Sequence, residues 1–269
     1  LGVFDGVLLA SDIDGTLLNH RHEMTAPVKS ALESFVARGG LFTVATGRSL
    51  AGTAVLRPLL PLTAPAVLSN GAYIYDYQAG RELHAEWLAG PFEEALADIR
   101  ARFPGLGTEL HRPDRVWILD YNRWNEVHMN AVRCVCEKIG DLRQAPAPWL
   151  KILLVDEPET LQAVAAYAVP KWGETFSFLF SAPCLLEMQN AGVDKAAGVQ
   201  TLARMLRVER QNIYTVGDAG NDLGMLRAFE SFAPASATAE ARAAATRIVP
   251  GCDQDALAAV VRFLEERYG

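Results

Sequence analysis

The sequence predicts an α/β protein, with a parallel-sheet domain assembled from both ends of the chain and an α+β domain inserted between them. Three observations carry this. Short apolar runs alternate with helix-period segments up to about residue 83, and again after about residue 190. Between those limits the runs change character, and "TFSFLFS" alternates as a half-buried strand of an antiparallel sheet does. That middle segment, 84–189, is too rich in strand and helix patterns to be a loop.

Taken in order, "VLLAS" is a strand. "MTAPVKSALESFVARGG" places Met24, Val28, Ala31, Leu32 and Phe35 at helical spacing, with Pro27 early and Gly39-Gly40 as the stop. "LFTVA" is a second strand ending at Thr46-Gly47-Arg48, and the helix after it runs to about Leu56, before Pro58 and Pro61. "PAVLSNGAYIYD" reads as strand, turn at Asn70-Gly71 and return strand. In the insertion "PFEEALADIRARF" and "PETLQAVAAYA" are helices, while "RVWILD" and "KILLVD" are strands. Near Glu187 the parallel style resumes. "DKAAGVQTLARMLR", "NDLGMLRAF" and "DQDALAAVVRFLEERY" are helices, "NIYTVG" and "SFAPA" strands, and "ASATAEARAAATR" a plain helix.

The 269 residues are half apolar and carry a net charge of −7, from 25 Lys plus Arg against 32 Asp plus Glu. That balance argues against a nucleic-acid partner held through its phosphates, which needs clustered positive charge. It leaves room for a small anionic substrate. No apolar run is long enough to span a bilayer. The start of the chain has no signal-peptide pattern and no initiator Met. Cys134, Cys136, Cys184 and Cys252 form no CxxC pair and no zinc-like spacing with histidine, and Cys134 and Cys136 fall in a helical-looking stretch. Reduced thiols in a cytoplasmic protein are the expectation.

Four stretches carry polar residues where open α/β sheets place their ligand sites. They are Asp12-Ile13-Asp14-Gly15-Thr16, Thr46-Gly47-Arg48, Lys195 at a helix start, and "TVGDAGND" with Asp218 and Asp222 around two glycines. Residues two apart on an extended chain point the same way, so Asp12 and Asp14 can approach one site. Crowded carboxylates repel unless a cation offsets them, and an all-oxygen set suits Mg²⁺. Thr46 and Lys195 then suit a grip on a phosphoryl group, and a free carboxylate suits a nucleophile.

These motifs together resemble the haloacid dehalogenase (HAD) superfamily phosphatases, Cof-type subgroup, with a large α/β cap of the C2B type. "DIDGT" at 12–16, Thr46 in "ATGR", Lys195 and "GDAGND" at 217–222 match its four motifs, and "SNGA" at 69–72 is typical of the subgroup. The resemblance implies a Rossmann-like parallel-sheet core at 1–83 and 190–269, with the cap at 84–189. It implies a Mg²⁺-dependent phosphomonoester hydrolase acting on a small phosphorylated metabolite, a sugar phosphate or phosphorylated cofactor. Asp12 would be the nucleophile, and Asp14 the general acid and then base. Mg²⁺ would bind the Asp12 carboxylate, the Asp14 backbone carbonyl and Asp218, supported by Asn221 and Asp222. Thr46, Gly47 and Lys195 would hold the phosphoryl group, with Arg48, Asn70 and Gly71 as candidates to shape the pocket. The chain departs from the family where Ala196, not Gly, follows Lys195, and where Pro234-Ala235-Ser236-Ala237 replaces a Gly-Asn-Ala turn.

The alternative is a phosphomutase or phosphotransferase of the same superfamily. A receiver-like phospho-acceptor is about half this length, and an inactive binding protein would not need every catalytic group. No GxxxxGK[ST] loop occurs. The expected partner is the metabolite alone, with neither nucleic acid nor membrane, and the chain a monomer or small homo-oligomer. In the insertion, His111, Arg112 and Arg115 read as a solvated polar loop, and Trp117, Trp124, Trp149 and Trp172 as core or interface. His20, His22, His84 and His128 show no ligand spacing with one another.

Overall fold

The computed structural model describes residues 2–132 and 135–269. From the N-terminus, β1 (Leu8–Ser11), α1 (Ala26–Ala37) and β2 (Leu41–Val44) form a right-at-the-start strand–helix–strand unit with the two strands parallel. A short α2 (Leu50–Ala54) precedes β3 (Ala66–Leu68), β4 (Tyr73–Asp76) and β5 (Arg81–Ala85), which form a small three-stranded sheet in that order. Then come α3 (Phe92–Arg102), β6 (Gly107–His111), β7 (Arg115–Asp120), α4 (Arg123–Val132), β8 (Val135–Lys138) and β9 (Lys151–Val155). They are followed by α5 (Pro158–Trp172), β10 (Phe176–Ala182) and β11 (Leu185–Asn190). The chain ends with α6 (Lys195–Leu206), β12 (Ile213–Val216), α7 (Leu223–Ala228), β13 (Glu230–Pro234), α8 (Ala239–Ala244), β14 (Arg247–Val249) and α9 (Ala256–Tyr268).

The backbone divides into two compact units. One comprises Leu1–Gly47, Leu56–Leu83 and Asp194–Gly269; the other comprises Arg48–Val55 and His84–Val193.

The first unit holds a five-stranded sheet in the order β14-β13-β12-β1-β2, parallel throughout. β1 and β12 are wholly buried and almost entirely apolar, as strands covered on both faces must be. Leu8 and Ala10 pack with Val199, Leu202 and Ala203 of α6 and Met225 of α7. From the adjacent pair β1 and β12, successive strands are added in opposite directions, toward β2 on one side and β13 on the other. This reversal opens a crevice at the carboxyl ends of β1 and β12, where α/β sheets bind ligands. Asp12 follows β1 and Gly217-Asp218 follows β12, so both stand there.

The second unit is built on a mixed six-stranded sheet in the order β10-β11-β9-β6-β7-β8. The β10–β11, β11–β9, β9–β6 and β6–β7 pairs are antiparallel, and β7–β8 is parallel. One face carries Leu110, Trp117, Ile152, Leu154, Leu186 and Met188 into a core with α3 and α5. The alternate residues carry Glu109, His111, Lys151 and Glu187 on the opposite face, following the two-residue period of strands.

Several local expectations are corrected. "TELH" is strand β6, and His111 is its buried last residue (5 % exposed) rather than part of a solvated loop. Glu187 does not begin the parallel region, because β11 continues the antiparallel sheet to Asn190. The Ala-rich stretch supplies only the six-residue α8, after which Arg247–Val249 pairs with β13 as an edge strand. Cys136 lies in strand β8, not a helix, and Cys134 lies outside the described residues. The helix after Arg48 ends at Ala54. Trp117 and Trp149 are core, as expected, and Trp172 packs against that core. Among the described residues no helix is long and apolar enough to cross a membrane.

Candidate active site

The centre of the site is a buried ammonium between two carboxylates. Lys195 Nζ donates to Asp12 Oδ1 and to Asp222 Oδ1, at 2.6 Å each, and Lys195 and Asp222 are both fully buried. Local structure fixes all three. Asp12 N donates to the Val216 carbonyl, which locks the exit of β1 against the end of β12. Lys195 is the first residue of α6, whose N-cap Asp194 accepts from Ala197 N at 2.7 Å. Asp222 Oδ2 accepts from the backbone N–H of Asp218 (2.8 Å) and Ala219 (3.0 Å), so one carboxylate both folds the 217–222 turn and holds the lysine.

Asp218 is placed by the other acidic loop. Thr16 Oγ1 donates to Asp218 Oδ1 at 3.0 Å, and a Cβ on Gly15 would stand 2.6 Å from Asp218 Oδ2. Gly15 also has φ +74°, so glycine is required there twice over. Ligand atoms of Asp12, Asp218 and Asp222 lie within 4.8 Å of one another. Burial pushes the Asp12 carboxyl up to about 8; Lys195 opposes this, while Asp222 and Asp218 add to it. Burial, and then Asp222, raise Asp218 to about 6. Lys195 is held above its ordinary value despite burial, because Asp12 and Asp222 favour its charged form.

This donor set fits a hard divalent cation. It is all oxygen and largely buried, and the Asp12 and Asp218 carboxyls are pushed toward protonation by burial and by neighbouring carboxylates, which an added positive charge would reverse. Asp12 and Asp218 would hold such an ion.

The remaining predicted residues are distributed as follows. Asp14 is half-buried, with His22 Nδ1 at 3.6 Å from its Oδ1, a neighbour the sequence reading did not pair with it. Thr46 is buried; its N–H donates to the Val67 carbonyl and its carbonyl accepts from Asn70 N. Asn70 is fully buried at φ +53°, and its Oδ1 accepts from Asn221 Nδ2 at 3.0 Å, tying "SNGA" to the 217–222 turn. A Cβ on Gly47 would come within 3.1 Å of Asn70. Arg48 clusters with the second unit, where its guanidinium donates to the Gly52 carbonyl.

The departure at Ala196 is resolved by Gly198. A Cβ there would lie 2.7 Å from Gly71 Cα, so Gly198 is the residue that lets α6 approach the 69–71 turn. The departure at 234–237 leaves the wall intact, since Thr238 N donates to the Asp218 carbonyl at 2.9 Å. Gly71 is the tightest point. It has φ +96°, and a Cβ would stand 1.9 Å from the Asp194 carbonyl oxygen. Gly71→Ala is therefore expected to lower stability by roughly 2 kcal/mol and to depress turnover by displacing the start of α6. Urea melts and steady-state rates on the same preparation check both.

Residues 9–261 match the model of the haloacid dehalogenase-like hydrolases. The chain belongs to that family, and fold and site together define an enzyme of its phosphatase type. It is 29 % identical over 229 residues to "Putative phosphatase YxeH" of Bacillus subtilis (strain 168), covering 81 % of this chain and 83 % of that protein. It is 26 % identical over 227 residues to the 5-amino-6-(5-phospho-D-ribitylamino)uracil phosphatase YitU of the same organism, covering 81 % and 82 %. A crystal structure of a haloacid dehalogenase-like hydrolase from Bacteroides thetaiotaomicron superposes with a TM-score of 0.84 at 21 % identity, over 96 % of this chain and 99 % of that one.

Proposed function

We propose that this protein is a Mg²⁺-dependent phosphomonoester hydrolase of the Cof type, acting on a small phosphorylated metabolite through an aspartyl-phosphate on Asp12. The observation that carries the reading is the Lys195 ammonium gripping Asp12 Oδ1 at the end of β1, beside Asp218. One carboxylate oxygen is thereby held, and the other, Oδ2, is the attacking atom.

In the first step Oδ2 forms the bond to phosphorus as the bond to the leaving oxygen breaks. Asp14 delivers its proton to that oxygen. In the second, Asp14 removes a proton from water, whose oxygen bonds to phosphorus while the Asp12–phosphorus bond breaks and inorganic phosphate leaves. An ammonium has three N–H donors, and Lys195 uses two on Asp12 and Asp222. The third is assigned to a transferring phosphoryl oxygen, alongside Thr46 and the Gly47 backbone. Asp12, the Asp14 carbonyl and Asp218 are the assigned Mg²⁺ ligands, with Asn221 and Asp222 supporting them. Bound there, Mg²⁺ supplies charge to offset the phosphoryl oxygens.

Residues 84–189 are assigned as a C2B-type cap that discriminates among leaving groups. A relative named as a 5-amino-6-(5-phospho-D-ribitylamino)uracil phosphatase supports a small phosphorylated metabolite as the substrate class. The Cys184 and Cys252 thiols suit a reducing, cytoplasmic setting.

The test is phosphate release from a panel of phosphorylated sugars, polyols, cofactor precursors and nucleotides, with Mg²⁺ and with chelator. Turnover is expected on at least one compound, falling more than about 100-fold on chelation. Release indifferent to chelator would refute the metal assignment. An isomerised sugar phosphate in place of inorganic phosphate would establish a mutase.

A further inference from the structure

A second constellation, independent of the acidic site, lies in the six-stranded sheet unit. Glu109 Oε2 accepts from His111 Nε2 at 3.0 Å and from His128 Nδ1 at 2.8 Å. Glu109 is fully buried, and His111 and His128 are 5 % and 8 % exposed. Asn125, also fully buried, donates from Nδ2 to the other oxygen, Glu109 Oε1, at 2.9 Å. The scaffold is rigid. Glu109 and His111 stand two apart on β6 and share a face, while Asn125 and His128 stand three apart on α4 and share a face.

We propose that Glu109, His111 and His128 form a binding site for a divalent d-block cation such as Zn²⁺ or Co²⁺. The two imidazole nitrogens and Glu109 Oε2 converge, all within 4.8 Å of one another. Two metal–ligand bonds of about 2.1 Å at a right angle separate their ligand atoms by about 3.0 Å, and at the tetrahedral angle by about 3.4 Å. The Glu109–His111 and Glu109–His128 separations of 3.0 and 2.8 Å therefore lie within a few tenths of an ångström of the right-angle value. Two imidazoles and one carboxylate are a borderline-soft set that suits Zn²⁺, Co²⁺ or Fe²⁺ over Mg²⁺. Asn125 supplies the outer hydrogen bond that orients a ligating carboxylate.

Charge points the same way. Lys151, opposite His111 in the sheet, is paired with Glu187 at 2.7 Å, so its charge is already matched. Glu109 is a buried carboxylate, and buried charges are paired or coordinate metals. On binding, the lone pairs of His111 Nε2 and His128 Nδ1 turn to the ion. The proton that each nitrogen shares with Glu109 moves to the opposite nitrogen of its ring, so each imidazole binds as a neutral ligand and no electron is transferred. The ion would tie α4 to β6.

The experiment uses the full chain, stripped with chelator and returned to millimolar Mg²⁺ to saturate the oxygen site. Co²⁺ is titrated while visible d–d absorption is read, and retained Zn²⁺ is measured after dialysis. One equivalent is expected, with a Co²⁺ band that survives Asp218→Asn and is lost in both His128→Gln and the isosteric Glu109→Gln. Circular dichroism establishes that at least one of these two variants is folded. Zn²⁺ in excess is expected to raise Tm by about 4 °C in the native chain and not in the folded variant. The proposal is overturned if no Co²⁺ band forms or if the band is lost with Asp218→Asn. It is equally overturned by a band lost only with Cys252→Ser, which would place the ion at His20, Cys252 and Asp253.

Discussion

Asp12→Asn is expected to abolish turnover, with kcat falling at least about 10³-fold, while leaving the fold intact. The asparagine amide is close in shape to the carboxylate, and Asp12 sits at a strand end fixed by its own backbone bond to Val216. What the substitution removes is the proposed nucleophile, along with the carboxylate oxygen that Lys195 Nζ meets at 2.6 Å. The measurement is phosphate release on the best panel substrate, paired with mass spectrometry of the quenched enzyme. The native chain is expected to carry a transient phosphoryl adduct on the peptide containing Asp12, and the variant none. Asp14→Asn gives the complementary result. Its adduct is expected to persist, because the base that activates water is gone while the nucleophile remains. Retained turnover in Asp12→Asn would sink the covalent route and leave only direct attack by water.

The candidate site was legible because each of its members follows a strand with a strong apolar signature or opens a helix with a clear cap. Asp12 after "VLLAS", Asp218 after "NIYTVG", and Lys195 after the cap Asp194 all stand where the parallel topology brings carboxyl ends together. What the sequence could not show was pairing across 183 residues. Lys195 Nζ bonds to Asp12 and Asp222, pairings that no local spacing signals. The partners of Thr16 and His22 were equally hidden, since a hydroxyl bond to Asp218 and a histidine beside Asp14 have no periodic signal. In the insertion the losses were larger. β6 is short and mixes Glu and His with Leu, so its alternation reads as a polar loop until its neighbours β7 and β9 are known. With β6 unread, nothing in the sequence could bring His128 of α4 to Glu109.

Lys195→Met carries the second large effect, and it separates electrostatics from packing. Methionine matches the length of the lysine stem, so the volume around α6 is kept. The ammonium is lost, and with it the counter-charge that Asp12 and Asp222 share in a buried site. Removing one partner of a buried ion pair costs about 3–5 kcal/mol. A loss near the lower end is expected, because Asp222 Oδ2 keeps its two backbone donors. Turnover is expected to fall by roughly 10²–10³-fold or more, the effect of deleting a donor aimed at developing charge. Adding Asp222→Asn tests the cause. If the penalty is an unpaired charge, the double variant regains part of the stability, while its activity stays low because the ammonium is still missing. Equilibrium urea melts of the four proteins in the cycle give the coupling energy directly. Strict additivity would mean that Lys195 and Asp222 do not stabilise each other in the fold. The ion pair would then be a feature of the resting site, formed for the nucleophile's orientation and not for the fold's stability.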